Sequence, residues 1–339
     1  RGIVIQSNAM KALRNIDLEE PVRAAGVTLQ RAIFSSWKGN TLLEIPLAEM
    51  ARELSAPVVS LPRAKLCAIL LSNLKVGVVH LSSNCVRFEL GPPGVKLFLD
   101  NGQEVEGSAL VGADGLHSRI RAQLLGEIEP FYAGFTSWSG VTLAGDFGDI
   151  SVAHEMWGPG ARFGWAAVGE GCMSWYATAN EPAGGEDDPD QRRLALLKRF
   201  HGWPSKITKV IEQTPDVFIT RADIYDRLPV AKWGDGPVSL LGDAAHPMTP
   251  GLGQGSCLSI EDGVVLADSL TWSRHLIDGL RMYEQRRIPR LHWFITESRR
   301  LGKSAQLENV IARWFRDAAI RTTRHAQLQR VKTALSFSL

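Results

Sequence analysis

The sequence lacks the short motifs that mark most hydrolytic and metal-assisted chemistry. It contains no Gly-x-Ser-x-Gly elbow, no Walker loop and no His-Glu-x-x-His pair, which excludes the simple hydrolase, nucleotide-hydrolase and zincin readings. Cysteine is scarce. Cys67, Cys85, Cys172 and Cys257 stand far apart, with no Cys-x-x-Cys or Cys/His cluster, as expected of free thiols in a reducing compartment rather than of disulfides or a metal site. No run of about eighteen apolar residues exists, so no segment reads as membrane-spanning and only peripheral membrane contact stays open. No Gly-x-Gly-x-x-Gly follows any expected strand. Gly158-Pro159-Gly160-Ala161-Arg162-Phe163 fails at its last position, and that fingerprint normally receives the pyrophosphate of a dinucleotide. The sequence opens on Arg1 with no visible signal peptide and reads as a fragment or processed product.

What is present suits a globular chain of 339 residues, 45% of them apolar, with ten tryptophans to line a core or pocket. The net charge of +2 points to no nucleic-acid partner but hides an asymmetry. Between Arg274 and Lys332 there are fourteen Lys/Arg against five Asp/Glu, leaving twenty-four against thirty-one elsewhere. Docking within the molecule is the preferred explanation, with an anionic membrane surface or a phosphorylated cosubstrate as alternatives.

The chain is organised around Val238 to Gly255. Val238 to Leu241 reads as a short buried strand bounded by Gly234-Asp235-Gly236-Pro237. Gly242-Asp243 then places a carboxylate at the strand's C-terminal edge, where open α/β sheets hold ligands. Pro247, Pro250 and the alternating Gly251, Gly253 and Gly255 lead into a helix expected from about Ser256 to Leu270. Glycine lets backbone N–H groups approach a ligand, and a helix start carries about +0.5 of a charge. A carboxylate for sugar hydroxyls beside a positive helix end for an electron-rich ring makes a cofactor cradle. His246 has no second ligand at metal spacing and is expected to be structural.

A second junction of the same kind lies upstream. Ala109 to Ala113 reads as a buried strand ending in Asp114-Gly115, with Ser118 opening a helix that carries Arg119 and Arg121. Elsewhere the patterns predict strands at Ile3–Ile5, 27–35, 41–45, 76–81, 86–90, 95–100 and 217–225, with a two-residue hairpin at Asn101-Gly102. Helices are expected at 8–15, 18–25, 192–200 and 205–213, and from Leu61-Pro62-Arg63 to about Leu71. Arg63 opposes the dipole of that helix, so either an anionic or polar ligand or plain solvent faces it. Residues 131–180 are β-rich and glycine-punctuated, and read as a mostly antiparallel sheet. The pattern over Leu280 to Leu301 is helical, with a kink or restart expected at Pro289.

Together, Ala109-Leu110-Val111-Gly112-Ala113-Asp114-Gly115-Leu116-His117-Ser118-Arg119-Ile120-Arg121 and Leu241-Gly242-Asp243-Ala244-Ala245-His246-Pro247 resemble the FAD-dependent single-component aromatic-ring monooxygenases. These include salicylate- and urate-hydroxylase-like enzymes and the plant zeaxanthin epoxidases. Trp175-Tyr176-Ala177, Glu181-Pro182-Ala183-Gly184-Gly185 and Asp223-Ile224-Tyr225-Asp226-Arg227 look most like the epoxidase and bacterial hydroxylase branch. The resemblance implies that Asp114 and Gly115 contact both FAD and a reduced nicotinamide, and that Gly242 and Asp243 hold the ribityl chain. It also implies that Pro250, Leu252, Gly253, Gln254 and Gly255 lie against the isoalloxazine ring, and that Arg63 contacts FAD. Gly2-Ile3-Val4 with Asn8-Ala9-Met10 is similar to the segment just after the family's first β-α-β unit. The glycine fingerprint and ribose acid, within roughly forty residues of the family pattern, are therefore expected upstream of Arg1.

The implied fold is α/β. An incomplete Rossmann-like FAD-binding domain (1–125 and 237–285) is joined by a mostly antiparallel β-sheet substrate domain (126–236) and C-terminal helices (286–339). The implied reaction is monooxygenation. NAD(P)H reduces FAD, O2 adds at flavin C4a, and the hydroperoxide passes one oxygen atom to an aromatic or isoprenoid-type small molecule. Pro250, Arg221 and Tyr225 are the candidates on the catalytic and substrate side. A truncated pseudoenzyme and a flavin oxidase or dehydrogenase are the alternatives. Cytoplasm and plastid are the expected compartments.

Overall fold

The computed structural model describes residues 1–339 except Pro93, Ala144, Asp146 and Phe147. The chain divides into two compact units. The first comprises Arg1–Ser72, Tyr132–Ile224 and Leu301–Ser338, and the second comprises Asn73–Phe131, Tyr225–Arg300 and Leu339.

The first unit is dominated by a seven-stranded sheet in the order Thr220–Asp226, Phe131–Leu143, Cys172–Asn180, Ala161–Gly169, Val152–Trp157, Arg31–Ser36, Thr41–Ile45. Its long central strands pair antiparallel, as the β-rich texture of 131–180 predicts, while Val152–Trp157 runs parallel to Arg31–Ser36. Aromatic residues at alternate positions face one way and form the core. Phe163 stacks on Trp175 at 5.4 Å, with Phe200 edge-on to Phe163, and Leu196, Ile207 and Ile211 of the helices Arg192–Arg199 and Ser205–Glu212 close over them. Two buried indole N–H groups of this core are satisfied: Trp175 donates to Thr214 Oγ1 at 2.9 Å and Trp138 to Asp187 Oδ2 at 2.6 Å. A smaller sheet sets Val58–Pro62 between Gly2–Ile5 and Val27–Leu29.

In the second unit Leu110–Gly112 runs parallel to Val238–Leu240, which pairs antiparallel with Gly234–Asp235. A meander of Cys85–Gly91, Gly94–Leu99 and Glu104–Gly107 precedes them, and the helices Arg119–Leu125 and Gly255–Trp272 follow the two parallel strands.

Four expectations need correction. The single strand expected over 27–35 is two strands in different sheets, Val27–Leu29 and Arg31–Ser36, because the chain turns at Gln30. Residues 76–81 form turns and irregular backbone rather than a strand, with Val76, Val78, Val79 and Leu81 all exposed. A two-residue hairpin at Asn101-Gly102 expects positive φ at both positions, but only Gly102 takes it, at 82°. The restart expected at Pro289 does not occur, since one helix, Leu276–Ala305, carries the proline inside it. The ion pairs of Arg287 and Arg290 with Glu261 flank the proline and anchor this stretch. The helix Leu47–Leu54, which sequence reading missed, buries Leu47, Met50 and Leu54 against Leu335.

Candidate functional site

The parallel pairing of Leu110–Gly112 with Val238–Leu240 puts Gly112 opposite Leu240. The two strands therefore end side by side, and the exposed carboxylates of Asp114 and Asp243 emerge at the same sheet edge. Asp114 is fixed by the helix it precedes. Its oxygens accept from Ser118 Oγ at 2.5 Å, Arg119 N at 2.8 Å and Ile120 N at 3.3 Å, while Ser118 Oγ caps Arg121 N at 2.8 Å. A carboxylate at a helix start sits at the positive end of the dipole, which explains its fixed direction. Gly115 follows at a φ of 80°.

Gly242 and Asp243 form a 3-10 turn, Gly242–Ala244, entered by Gly242 at a φ of 61°. Pro250–Leu252 makes a second such turn, closed by Gly253 at a φ of 63°, a left-handed conformation that glycine adopts without steric cost. Gln254 then leads into the helix Gly255–Trp272. A side chain at Gly255 would bring its Cβ within 3.9 Å of Asp243 Oδ1, so the Asp243 carboxylate lies beside the start of this helix. The second unit thus brings together Asp114, Gly115, Gly242, Asp243, Pro250, Leu252, Gly253, Gln254 and Gly255. Tyr225, half-buried, belongs to the same unit. Arg63 and Arg221 belong to the first unit. Arg63 is exposed at the first position of the helix Arg63–Ser72, where its backbone N–H donates to the Arg1 carbonyl at 2.9 Å. The Arg221 side chain is largely buried among acids: its guanidinium lies 3.2 Å from Asp223, 3.4 Å from Asp187 and 3.8 Å from Glu181.

Beneath the turns lies a charged network. Asp262, fully buried, accepts from Gly242 N at 3.1 Å, meets His246 Nε2 at 2.5 Å and accepts from Arg287 Nε at 2.6 Å. Burial works to raise the Asp262 pKa, but the fields of His246 and Arg287 outweigh it and hold the carboxyl below its usual range. Arg287 also donates to Glu261 Oε2 at 2.6 Å and to the Leu258 carbonyl at 3.3 Å. His246 is therefore the structural histidine expected, clamping the turn to the helix behind it. On the other side, buried Arg121 donates from Nη1 to the carbonyls of Ala244 and Ala245, both at 2.9 Å. Desolvation, aided by the charge of Arg227, lowers its pKa to about 10. The Asp114 helix thus pins the Asp243 turn through a single guanidinium. Sequence reading placed Arg121 on that helix but gave it no role, and it missed Asp262, since nothing at Asp262 or Arg287 marks their convergence on Gly242.

Two exposed carboxylates are acceptors for hydroxyl groups, and a glycine-lined helix start favours negative charge. This set of groups fits the sugar-alcohol chain and the electron-rich ring of a flavin. Among the described residues no group of three His, Cys, Asp or Glu is arranged to hold a metal ion.

Comparison with known proteins agrees. The profile of the FAD binding domain family matches residues 1–293. The aurachin C monooxygenase/isomerase of Stigmatella aurantiaca is 42% identical over 320 residues, covering 94% of this chain and 83% of that protein. The chloroplastic zeaxanthin epoxidase of Solanum lycopersicum is 39% identical over 305 residues; the match covers 84% of this chain but only 45% of the epoxidase. Among solved structures, HpxO of Klebsiella pneumoniae in complex with FAD and uric acid superposes with a TM-score of 0.93 at 24% identity, covering 98% of this chain and 87% of that one. A salicylate hydroxylase substrate complex gives 0.82 at 19% identity over 98% of this chain and 87% of its own. These two share the fold. With the family profile covering most of its length and a relative at 42% identity matched over 83% of its own length, the chain belongs to the FAD binding domain family, among the FAD-dependent monooxygenases.

Proposed function

We propose that this protein uses FAD and NAD(P)H to insert one oxygen atom from O2 into an aromatic or isoprenoid-type small molecule. The observation that carries this reading is the pair of exposed carboxylates, Asp114 and Asp243, at one sheet edge beside the glycine turn and the start of the Gly255–Trp272 helix. Bound FAD supplies the redox and oxygen-activating chemistry. The chain's own residues bind and orient it. Asp243 accepts from the ribityl hydroxyls, and Asp114 and Gly115 meet the flavin and the nicotinamide. Pro250, Leu252, Gly253, Gln254 and Gly255 line the ring, with the helix start favouring its reduced, anionic form. Arg63 supplies a cationic contact to the cofactor. Arg221 and Tyr225 stand on the substrate side, with the three carboxylates around Arg221 holding its guanidinium in place. The relatives named for aurachin C and zeaxanthin support a lipophilic substrate carrying a ring or an alkene.

The testing experiment is NAD(P)H-dependent oxygen uptake by the flavin-loaded protein across phenols, purines, aurachin C and carotenoids. Uptake that rises with one class while product forms supports the reading. A protein that takes up no flavin is the pseudoenzyme alternative.

A further inference from the structure

The helix Val310–Thr322 presents an uncovered apolar face. Asn309 caps it, its Oδ1 accepting from Ile311 N at 2.9 Å and Ala312 N at 3.0 Å, so the first turns are fixed rather than frayed. One side of the helix is anchored. Arg316 is buried over the Trp157 ring and donates to the Ser304 carbonyl at 3.1 Å, while Ile320 packs on the cluster of Leu42, Trp157 and Ala305. The other side carries Val310, Ile311, Trp314 and Phe315, which are 70%, 67%, 65% and 62% exposed. The spacing puts all four on one stripe, and the Trp314 and Phe315 rings meet edge-on at 5.0 Å. Solvation does not favour four large apolar side chains on one stripe, and nothing in the fold of this unit requires them there.

Charge identifies the partner. Of the fourteen Lys/Arg between Arg274 and Lys332, eight are held in ion pairs within the protein. Five of these eight, Arg286, Arg287, Arg290, Arg299 and Lys332, pair with acids outside the segment, so docking within the molecule accounts for part of the basic excess. Beyond Arg316 the segment still carries Arg321, Arg324 and Arg330, all exposed and in no ion pair among the described residues, with Asp317 the one acid from Asn309 to Lys332. Arg321 lies in the last turn of this helix, and Arg324 and Arg330 lie on the helix that follows, Arg324–Leu335; an apolar Trp/Phe stripe followed closely in the chain by unpaired arginines is the composition of a segment that lies in the headgroup layer of an anionic bilayer. A second copy of the chain fits less well. Four side chains exposed to this extent offer roughly 400–500 Å², short of the ~800 Å² per partner of a stable dimer, and the arginines would face one another.

We propose that the Val310–Thr322 helix docks this protein on anionic lipid surfaces, with Val310, Ile311, Trp314 and Phe315 entering the headgroup–acyl boundary and Arg321, Arg324 and Arg330 facing the lipid phosphates. The inference stands apart from the redox reading, because docking needs neither flavin nor turnover.

The test is cosedimentation of the full chain with vesicles of phosphatidylglycerol and phosphatidylcholine, and with phosphatidylcholine alone. Binding is expected to the anionic vesicles, to weaken with salt and to be much weaker to phosphatidylcholine. Trp314→Ala with Phe315→Ala should lower the partition coefficient about tenfold or more. Arg321→Gln, Arg324→Gln and Arg330→Gln should each lower it about fivefold on anionic vesicles. Because these side chains are exposed, circular dichroism and the melting temperature should stay at wild-type values. Failure of the wild type to bind anionic vesicles, or undiminished binding by the double variant, overturns the proposal. So does a wild-type dimer in analytical ultracentrifugation that Trp314→Ala with Phe315→Ala dissociates, since the face is then covered by a second copy.

Discussion

Replacing Asp262 by Asn tests whether the buried network is what holds the Gly-Asp turn. The carboxylate is fully buried and serves three donors: Gly242 N at 3.1 Å, His246 Nε2 at 2.5 Å and Arg287 Nε at 2.6 Å. The amide is nearly isosteric but neutral, and its NH2 must confront at least one of those donors. Arg287 keeps Glu261 as a counter-charge, so the cost falls near the lower end of the range for breaking a buried pair, roughly 3 kcal/mol. The pH dependence carries a sign. The folded carboxyl is held below its usual range, so its contribution is complete above the unfolded value of about 3.9 and is lost as pH falls through the lower folded value. Urea denaturation followed by circular dichroism should show the full deficit of Asp262→Asn at pH 7, shrinking only below about pH 4. FAD affinity should fall as well, because Gly242 opens the turn that presents Asp243. A deficit under ~1 kcal/mol at pH 7, or one that already shrinks between pH 8 and 6, refutes the role assigned to Asp262.

Other outcomes follow from the same geometry. Asp243→Ala should weaken FAD binding by roughly ten- to a hundredfold in a titration of apo-protein, the worth of one charged hydrogen bond. Asp114→Ala should also weaken FAD binding and slow reduction by NAD(P)H in stopped flow; it should cost about 1 kcal/mol of stability as well, because it uncaps the N–H groups of Arg119 and Ile120. Arg121→Met should destabilise the protein by about 1–3 kcal/mol, leaving the Ala244 and Ala245 carbonyls without their donor, and the loss is read from the same urea curves. Gly140→Ala would place a Cβ 2.7 Å from the rigid Trp175 ring, so the melting temperature should drop by the equivalent of about 1–3 kcal/mol.

The two strand-to-helix junctions were legible in the sequence where local pattern and chemistry coincide. Val238–Leu240 and Leu110–Gly112 are short apolar runs that each end in an acid before a helix, an order that predicts a carboxylate at the C-terminal edge of each strand; that the two strands pair and end side by side is visible only in the fold. The antiparallel sheet over residues 131–180 followed from alternation and glycine spacing. What stayed hidden depends on tertiary neighbours. Asp262 and Arg287 lie in different helices, and only folding brings both to Gly242. Arg121 could be placed on its helix but not aimed, because its partners are backbone carbonyls more than a hundred residues away. The expected strand over 76–81 did not form: Val76, Val78, Val79 and Leu81 all stay exposed, and alternation settles into a strand where one face is buried. At Pro289 the restart expected from the local sequence did not form, and Arg287 and Arg290 on either side of it pair with Glu261.

The central claim is that the flavin-loaded protein transfers one atom of O2 to its substrate. Turnover with NADH or NADPH under ¹⁸O-labelled dioxygen, followed by mass analysis of the product, tests it directly. The account predicts one labelled oxygen atom in each product molecule. A substrate oxidised with no label incorporated would make the protein a flavin oxidase or dehydrogenase and contradict it.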